Sequence, residues 1–188
     1  MEGGCSLSFS VSCLDRRGHY RTKHQVITRG AMLNMISMRR VDRQMSDTEA
    51  KELLGRGEHG VLAVIDEDGR PYGVPLNYVY FNDAVYVHCA LQGKKLTAIE
   101  ANSQVCFTVV GNTQVLADQF ATNYESVIVF GSASVVDAAE KEAALQAIIQ
   151  RYSADYLEAG LAYIEKFRAA TQVVRISAEL ITGKRGAG

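Results

Sequence analysis

The feature that most constrains the fold is a pair of apolar, strand-forming segments that only two residues separate. Tyr72–Phe81 alternates with a period of two, Ala84–Ala90 is mostly apolar, and Asn82 and Asp83 lie between them. These two residue types suit a two-residue hairpin turn, whereas parallel strands need a long crossover connection. The two segments are therefore predicted to be neighbouring antiparallel strands.

Further segments extend this pattern along the chain. Ser46–Glu49 has the form of a capping box and predicts a helix start, with Gly55 and Gly57 ending that helix, and Asp137–Glu140 repeats the form. The other predicted strands are Gly60–Ile65, Gln104–Val110, Ser126–Val136 and Gln172–Thr182, and the other predicted helices are Lys94–Ala101 and a helical region reaching about Phe167. Six strands with short connections favour an antiparallel α+β barrel. No GxGxxG turn follows a strand, which excludes the usual dinucleotide-binding fold.

Composition and charge exclude several classes of protein. The chain of 188 residues carries 20 Lys and Arg against 21 Asp and Glu, so no chain-wide positive charge favours nucleic-acid binding. Its apolar runs are far shorter than the ~20 residues of a membrane-spanning helix. The four cysteines form no CxxC pair and no cluster with histidine at zinc spacing, so we expect no metal site and a reducing, cytoplasmic location.

The N-terminal region differs from the rest of the chain. Residues 1–37 are rich in Ser, Gly and Arg and show no sustained helical or strand period, so a poorly ordered extension is predicted there. Residues 38–188 are predicted to form one domain. An alternative interpretation is that the natural protein starts at Met38.

A glycine followed by two lysines at a predicted helix start is a candidate anion site. Gly93 closes the loop after Ala84–Ala90, and Lys94 and Lys95 occupy the first turn, where the helix dipole favours carboxylates instead. A phosphate held by ammonium and backbone N–H groups would explain this placement. A solvated basic helix start is the alternative.

His88 lies on the strand that leads into this helix. Strand alternation places Val85, Val87 and Cys89 on one face and Tyr86 and His88 on the other, so His88 is predicted to look out of the barrel. It is either a proton-exchanging residue of a site or an exposed structural histidine. Because Cys89 faces the opposite way, no Cys-His catalytic pair is expected.

Pro75 lies within the predicted strand Tyr72–Phe81. Proline has no N–H group to donate to a ladder, so it predicts an edge strand or a bulge. Either arrangement leaves backbone groups free for a ligand, and a proline that merely blocks the edge is the alternative.

The order and spacing of these segments resemble the pyridoxamine-5′-phosphate-oxidase-like split barrels, and within them the nitroimidazole-resistance (Nim) group. The motifs that carry the resemblance are Met38–Arg43, Gly73–Tyr78, Val85–His88, Gly93–Lys95, Asn102, Val105–Phe107, Ser126–Gly131 and Ile181–Lys184. The segment 1–37 has no counterpart in this family.

The resemblance implies a six-stranded antiparallel split β-barrel with flanking helices, which forms a homodimer and binds FMN at the dimer interface. The cofactor-binding residues that it implies are Val74, Pro75, Leu76, Asn77, His88, Cys89, Lys94 and Lys95. Residues 74–77 would follow the isoalloxazine ring or the ribityl chain through backbone contacts, and the two lysines would hold the phosphate. The phosphate site inferred from the helix start coincides with that of the family.

The resemblance further implies an FMN-dependent oxidoreductase acting on a small molecule, such as a nitroimidazole or nitroaromatic reductase of the Nim type. His88 is the predicted catalytic residue, as a proton donor to the reduced substrate. One alternative is a flavin- or haem-binding module without turnover. Another is a related oxidase with a different substrate, since the chain lacks the Arg-rich C-terminal segment of the true pyridoxamine-phosphate oxidases.

Overall fold

The computed structural model describes residues 7–14, 20–27 and 38–186 and divides the chain into the units Met1–Val41 and Asp42–Gly188. The prediction that residues 38–188 form one domain stays a prediction. The two units are described separately below.

The first unit contains two paired strands. Strands β1 (Leu7–Leu14) and β2 (Tyr20–Ile27) are antiparallel, although the sequence shows no sustained strand period there. Residues 1–6, 15–19 and 28–37 lie outside the described residues, so the poorly ordered extension stays a prediction.

Within its described residues, the second unit contains seven strands and four α-helices. The strands are β3 (His59–Ile65), β4 (Pro71–Asn77), β5 (Val79–Phe81), β6 (Ala84–Ala90), β7 (Gln104–Leu116), β8 (Ala121–Val135) and β9 (Thr171–Gly186). The helices are α1 (Asp47–Arg56), α2 (Lys94–Ala101), α3 (Ala138–Tyr152) and α4 (Leu157–Phe167). None of the described helices is both long and apolar enough to cross a membrane.

The sheet of the second unit curls into a barrel. Its strands are all antiparallel to their neighbours, in the order β4-β3-β7-β8-β9-β6-β5. The end strands β4 and β5 are separated in the chain by Tyr78 alone. In a flat sheet they would lie about 28 Å apart, whereas one residue spans at most ~3.6 Å. The ends of the sheet must therefore meet, which produces the predicted α+β barrel, split between β4 and β5.

The sheet has seven strands where the sequence predicts six, because the predicted strand Tyr72–Phe81 breaks at Tyr78. The hydroxyl of Tyr152 on α3 accepts the Tyr78 N–H at 3.3 Å and lies 2.7 Å from the Tyr78 carbonyl oxygen. A side chain thus takes the backbone groups that would continue the ladder. Because Tyr152 is 74 residues away, the local sequence pattern carries no sign of this break.

Apolar side chains fill the barrel interior. The fully buried ones on the strands are Leu62, Val85, Val87, Phe107, Val109, Val127, Val129, Val174 and Ile176. Helix α1 adds Leu53 and Leu54, each of which contributes about 1.5–3 kcal/mol of hydrophobic free energy on burial. The Tyr78 hydroxyl donates to the Leu54 carbonyl at 2.7 Å and fixes the helix on the barrel.

A second apolar layer lies on the outer side of β5, β6 and β9. There α3 and α4 bury Tyr86 and Val173 of the sheet beneath Leu145 and Ile164. Strand β6 is therefore covered on both faces, which explains why its sequence is apolar at almost every position.

The predicted turns and helix starts agree closely with the structure. The Ser46 hydroxyl accepts the Glu49 N–H and the Glu49 carboxylate accepts the Ser46 N–H, so the capping box is confirmed. Asn82 and Asp83 have φ of 49° and 54°, as a two-residue hairpin turn requires. The prediction for the end of α1 is wrong in part, because Gly55 lies inside the helix.

Strands β7, β8 and β9 are longer than predicted. Beyond the barrel wall, β7 and β8 continue as a hairpin with a register shift between Val110 and Thr113. The N–H of Asn112 in this irregular stretch donates to Glu125 at 3.2 Å. A single buried carboxylate thus satisfies a backbone group that the bulge removes from the ladder.

Candidate functional site

His88 lies on the outer side of β6, next to the helical layer, and is exposed to solvent. Val85 and Val87 point into the barrel, whereas Tyr86 lies beneath α3 and α4. His88 follows two residues after Tyr86 and lines a cavity under the same helices. The predicted outward orientation of His88 is therefore confirmed, while its catalytic role stays a prediction.

The cavity beside His88 has a volume of about 90 Å³ and is mostly apolar. Its lining residues are His88, Leu145, Ile148, Ile149, Tyr163, Ile164, Phe167, Arg168 and Thr171. The Arg168 guanidinium lies 2.9 Å from a Glu142 oxygen and 2.6 Å from a Glu165 oxygen. Two carboxylates thus compensate the one cation of the lining.

The surroundings of His88 favour the neutral form of its imidazole. Burial lowers the pKa of His88 below its usual value, and the positive charge of Lys95 lowers that pKa further. A neutral imidazole offers one N–H donor and one acceptor nitrogen. His88 can therefore take part in a hydrogen bond of either direction with a neighbouring group.

Helix α2 begins without a side-chain cap. Its N-cap residue is Gly93, whose φ of 151° and ψ of 159° belong to a backbone region that essentially only glycine adopts. The carbonyl oxygen of Gly93 accepts the N–H groups of Leu96 and Thr97 at 2.9 and 3.3 Å. The preceding N–H groups, those of Lys94 and Lys95, are terminal donors of the helix.

Lys94 joins this helix to the turn between β3 and β4. Its ammonium nitrogen lies 3.0 Å from Oδ2 of Asp66, and Oδ1 of Asp66 accepts the Arg70 N–H at 2.7 Å. The Lys94 ammonium is the main cause of the lowered pKa of Asp66, and the Asp66 carboxylate raises the pKa of Lys94 in return. The ammonium also lies 5.1 Å from the centre of the Tyr72 ring on β4. Lys94 thus already has an anionic partner within the chain. The phosphate contact predicted for Lys94 stays a prediction.

Lys95, unlike Lys94, lies near the end of β6 and influences the pKa values of two residues there. Its charge lowers the pKa of His88 and opposes the rise that burial causes in the pKa of Cys89. Within the part of the chain that the structure describes, Lys95 forms no ion pair. The fold thus brings His88, Cys89 and Lys95 together, whereas Lys94 pairs with Asp66.

The predicted flavin-binding segment Val74–Asn77 belongs to β4, at one end of the strand order. Among the described strands, only β3 pairs with β4, so the edge strand predicted from Pro75 is confirmed. The Val74 and Leu76 side chains pack against the barrel interior, while Pro75 and Asn77 are exposed. A ligand along this edge would meet backbone groups and alternate side chains.

An apolar outer face of the sheet adjoins this edge. Val61 of β3 lies opposite Pro75 of β4 on one side and Thr108 of β7 on the other, and Thr108 lies opposite Ile128 of β8. Val61 and Ile65 are 42% and 39% exposed. We call the row formed by Val61, Ile65, Thr108 and Ile128 the outer sheet face. Because β7 and β9 pair with β8 along most of its described length, β8 offers another molecule this face rather than a strand edge.

Several residues of the site have no local sequence signal. The helical period of Leu145, Ile148 and Ile149 marks a buried helix face, but it does not indicate that His88 lies opposite. The local sequence around Asp66 indicates only a turn. The pairing of Asp66 with Lys94 depends on the tertiary fold. In the described residues, no group of three or more His, Cys, Asp or Glu side chains is placed to hold a metal ion.

Solved structures with the same fold include a candidate 5-nitroimidazole antibiotic resistance protein from Bacteroides thetaiotaomicron. It is 23% identical, with a TM-score of 0.62 over 76% of this chain and 86% of that chain. A conserved hypothetical protein from Mycobacterium tuberculosis is 19% identical, with a TM-score of 0.69 over 79% of this chain and 90% of that chain. An FAD and haem binding protein from Mycobacterium smegmatis is 20% identical, with a TM-score of 0.67 over 78% of this chain and 74% of that chain.

At these identities the similarity to solved structures concerns the fold. No curated protein sequence matches the chain at a significant level. A family model described as pyridoxamine 5′-phosphate oxidase matches residues 46–185, which span the barrel from the cap of α1 to the last strand. The chain therefore belongs to the pyridoxamine 5′-phosphate oxidase family.

Proposed function

We propose that the protein is an FMN-binding oxidoreductase that reduces small nitroaromatic molecules, including nitroimidazoles. The observation that carries the proposal is the start of α2, where terminal N–H groups and the unpaired Lys95 meet beside His88. A phosphate needs both a cation and N–H donors, and this helix start offers them at one place.

The residues present fit the phosphate of FMN. That group carries close to two negative charges at neutral pH, so a single cation leaves it incompletely balanced. Lys95 would bind it directly, and Lys94 would support it from its pair with Asp66. Gly93 has a φ of 151°, and because it has no side chain it leaves the terminal N–H groups of α2 uncovered.

Bound FMN would supply the electron transfer, and the protein would supply position and protons. The backbone of Val74–Asn77, on the free edge of β4, would hold the ring system or the ribityl chain. His88 would exchange a proton with the substrate through its imidazole. The electron donor would be a reduced nicotinamide or another small reductant.

The proposal includes a homodimer. The outer sheet face exposes Val61 and Ile65, and Val61 lies directly beside Pro75 on β4. A second copy that covers this face would therefore also cover β4, the strand proposed to hold the cofactor. Sedimentation at micromolar concentration should detect a species of twice the 20.6 kDa monomer mass. A monomer alone would contradict this part of the proposal.

The absorbance spectrum of the purified protein tests the cofactor. A flavin band that bleaches when NADH or NADPH is added without oxygen supports a flavin-dependent enzyme. A flavin band that persists with every reductant supports a carrier without turnover. A Soret band supports the haem-binding alternative.

Substitution of His88 tests the proposed proton transfer. At a pH at which wild-type His88 is protonated, His88→Ala and His88→Gln should retain flavin and reduce a nitroaromatic about 10²–10⁴-fold more slowly, as the loss of a general acid predicts. Because burial and the charge of Lys95 lower the pKa of His88, the wild-type rate should fall as pH rises through that lowered pKa. Single-turnover rates of photoreduced protein measure this profile, which should be flat in His88→Gln. Wild-type rates in both variants would contradict the role of His88.

A further inference from the structure

We propose that Arg43, Tyr124 and Lys184 form a binding site for a doubly charged oxyanion, a phosphate or sulfate group, at the C-terminal end of β9. This site shares no residue with the start of α2. It therefore stands whether or not the protein binds a flavin.

The backbone brings the three side chains to one place. Strand β6 pairs with β9 only as far as Ser177, and beyond that point Gln44 forms a bridge with Lys184. The residues that precede α1 thus lie along this end of β9. On the other side of β9, Tyr124 of β8 lies opposite Gly186.

The ring of Tyr124 has a defined place on the end of β9. It lies directly against Gly186, where a Cβ atom would come within 2.4 Å of a ring carbon. The Lys184 ammonium nitrogen lies 5.6 Å from the centre of the ring, and Nη1 of Arg43 lies 3.5 Å from the hydroxyl oxygen. All three side chains are half-buried, so packing limits how far they can move apart.

The cluster of Arg43, Tyr124 and Lys184 consists of hydrogen-bond donors without an acceptor. Guanidinium and ammonium groups only donate, so the Tyr124 hydroxyl accepts from Arg43 and keeps its own proton to donate. Among the described residues, neither cation forms an ion pair, and the hydroxyl has no acceptor for its proton. Three donors and two positive charges therefore converge with no anion between them.

Other cations at this end of the sheet are compensated by carboxylates. Arg185, the residue after Lys184, has a nitrogen 2.9 Å from a Glu49 oxygen. A nitrogen of Arg56 lies 2.5 Å from a Glu125 oxygen. The chain thus supplies carboxylates to these two arginines, but within its described residues it supplies none to Lys184.

The uncompensated charge acts on the phenol. The pKa of Tyr124 is lowered, chiefly by Arg43 and then by Lys184. An oxyanion bound among the three groups would accept a hydrogen bond from each of them, and hydrogen bonds between charged partners are the strongest of their kind. A phosphate group, with close to two negative charges at neutral pH, balances the two cations.

Titration of the purified full-length protein with inorganic phosphate and with sulfate, at constant ionic strength, tests the site. The readouts are the backbone amide signal of Gly186 by NMR, next to the Tyr124 ring, and the unfolding temperature. Both anions should shift the signal saturably and raise the unfolding temperature. Arg43→Gln and Lys184→Gln should each weaken phosphate binding by roughly three- to tenfold. The matched control is Lys166→Gln, which removes an exposed charge from α4 and should leave the affinity unchanged.

Two conservative variants separate binding from damage to the fold. Tyr124→Phe keeps the ring and removes the hydroxyl, so it should weaken phosphate by roughly three- to tenfold. Lys184→Arg keeps the cation and should bind phosphate like the wild type. Phenyl phosphate as a further probe distinguishes the sources, because tighter binding than inorganic phosphate indicates a phosphate ester and equal binding indicates the free ion.

The outcome at Gly186 is independent of the proposed flavin site. Lys95→Ala should leave the phosphate-dependent shift of Gly186 unchanged, and a flavin-free protein that still shows this shift would contradict only the proposed flavoprotein. The absence of a saturable shift in the wild type, or wild-type affinity in Lys184→Gln, would overturn the oxyanion site. A loss in Lys184→Arg as large as that in Lys184→Gln would assign the lysine a packing role and overturn it as well.

Discussion

Two helices of the barrel begin in opposite ways. At α1, the Ser46 hydroxyl accepts the Glu49 N–H at 3.3 Å, and the Glu49 carboxylate accepts the Ser46 N–H at 2.9 Å. At α2, Gly93 provides no side chain, and no residue of the described chain caps the helix. Side chains thus satisfy the Ser46 and Glu49 N–H groups at the start of α1, whereas no described side chain caps the start of α2, where the Lys94 and Lys95 N–H groups lie.

The first turns of the two helices also carry charges of opposite sign. The first turn of α1 carries Asp47 and Glu49, which the helix dipole stabilises, while the first turn of α2 carries Lys94 and Lys95. Cations at a helix start are unfavourable unless an anion binds there. The start of α1 is thus capped and acidic, whereas the start of α2 is uncapped and basic, which is the difference on which the proposed phosphate site rests. Each prediction below tests one side of this comparison.

The largest effect is expected at Lys95. Lys95→Ala should weaken FMN by about tenfold to over a hundredfold, because a charge-assisted contact contributes about 1.5–3 kcal/mol. Lys94→Ala is the matched control and should weaken FMN less, since Lys94 is already paired with Asp66. Fluorescence titration with FMN and with riboflavin, which lacks the phosphate, measures both. Equal losses of FMN and riboflavin affinity in Lys95→Ala would assign this lysine a structural role.

Glycine substitutions should act with opposite signs on the two helices. Gly93→Ala should lower the free energy of unfolding by about 1–3 kcal/mol, because its backbone angles strain any other residue. Gly55→Ala should raise it by roughly 0.5–1 kcal/mol, since Gly55 lies inside α1 with open space around it. Urea denaturation measures both changes. A neutral Gly93→Ala would show that the start of α2 adapts without strain.

The smallest effect is expected from the acid titration of Asp66. The pKa of Asp66 is lowered in the folded state, so its contribution to stability is present above the unfolded pKa near 4 and is lost as pH falls through the folded value. Asp66→Asn should therefore show a smaller fall in unfolding temperature between neutral and acid pH than the wild type. Asp68→Asn, an exposed neighbour, serves as the control and should behave like the wild type. Identical pH profiles for wild type and Asp66→Asn would mean that the pair with Lys94 does not support α2.

The local features of the barrel follow from short-range patterns. The capping box at Ser46, the turn at Asn82 and Asp83, and the exact bounds of Ala84–Ala90 and Lys94–Ala101 agree with the structure, because each depends on residues within a few positions. The strand count does not, since the break at Tyr78 depends on the hydroxyl of the distant Tyr152.

For the candidate site, sequence alone identified residue types, strand faces and the unusual helix start. The outward side of His88 and the edge position of Pro75 follow from alternation and from the missing N–H of proline, which are properties of one strand. Only the tertiary structure decided that Lys94 pairs with Asp66, that Lys95 acts on His88, and that α3 and α4 leave a cavity there. These contacts join segments far apart in the chain, and their geometry depends on how the barrel closes and where the helices pack.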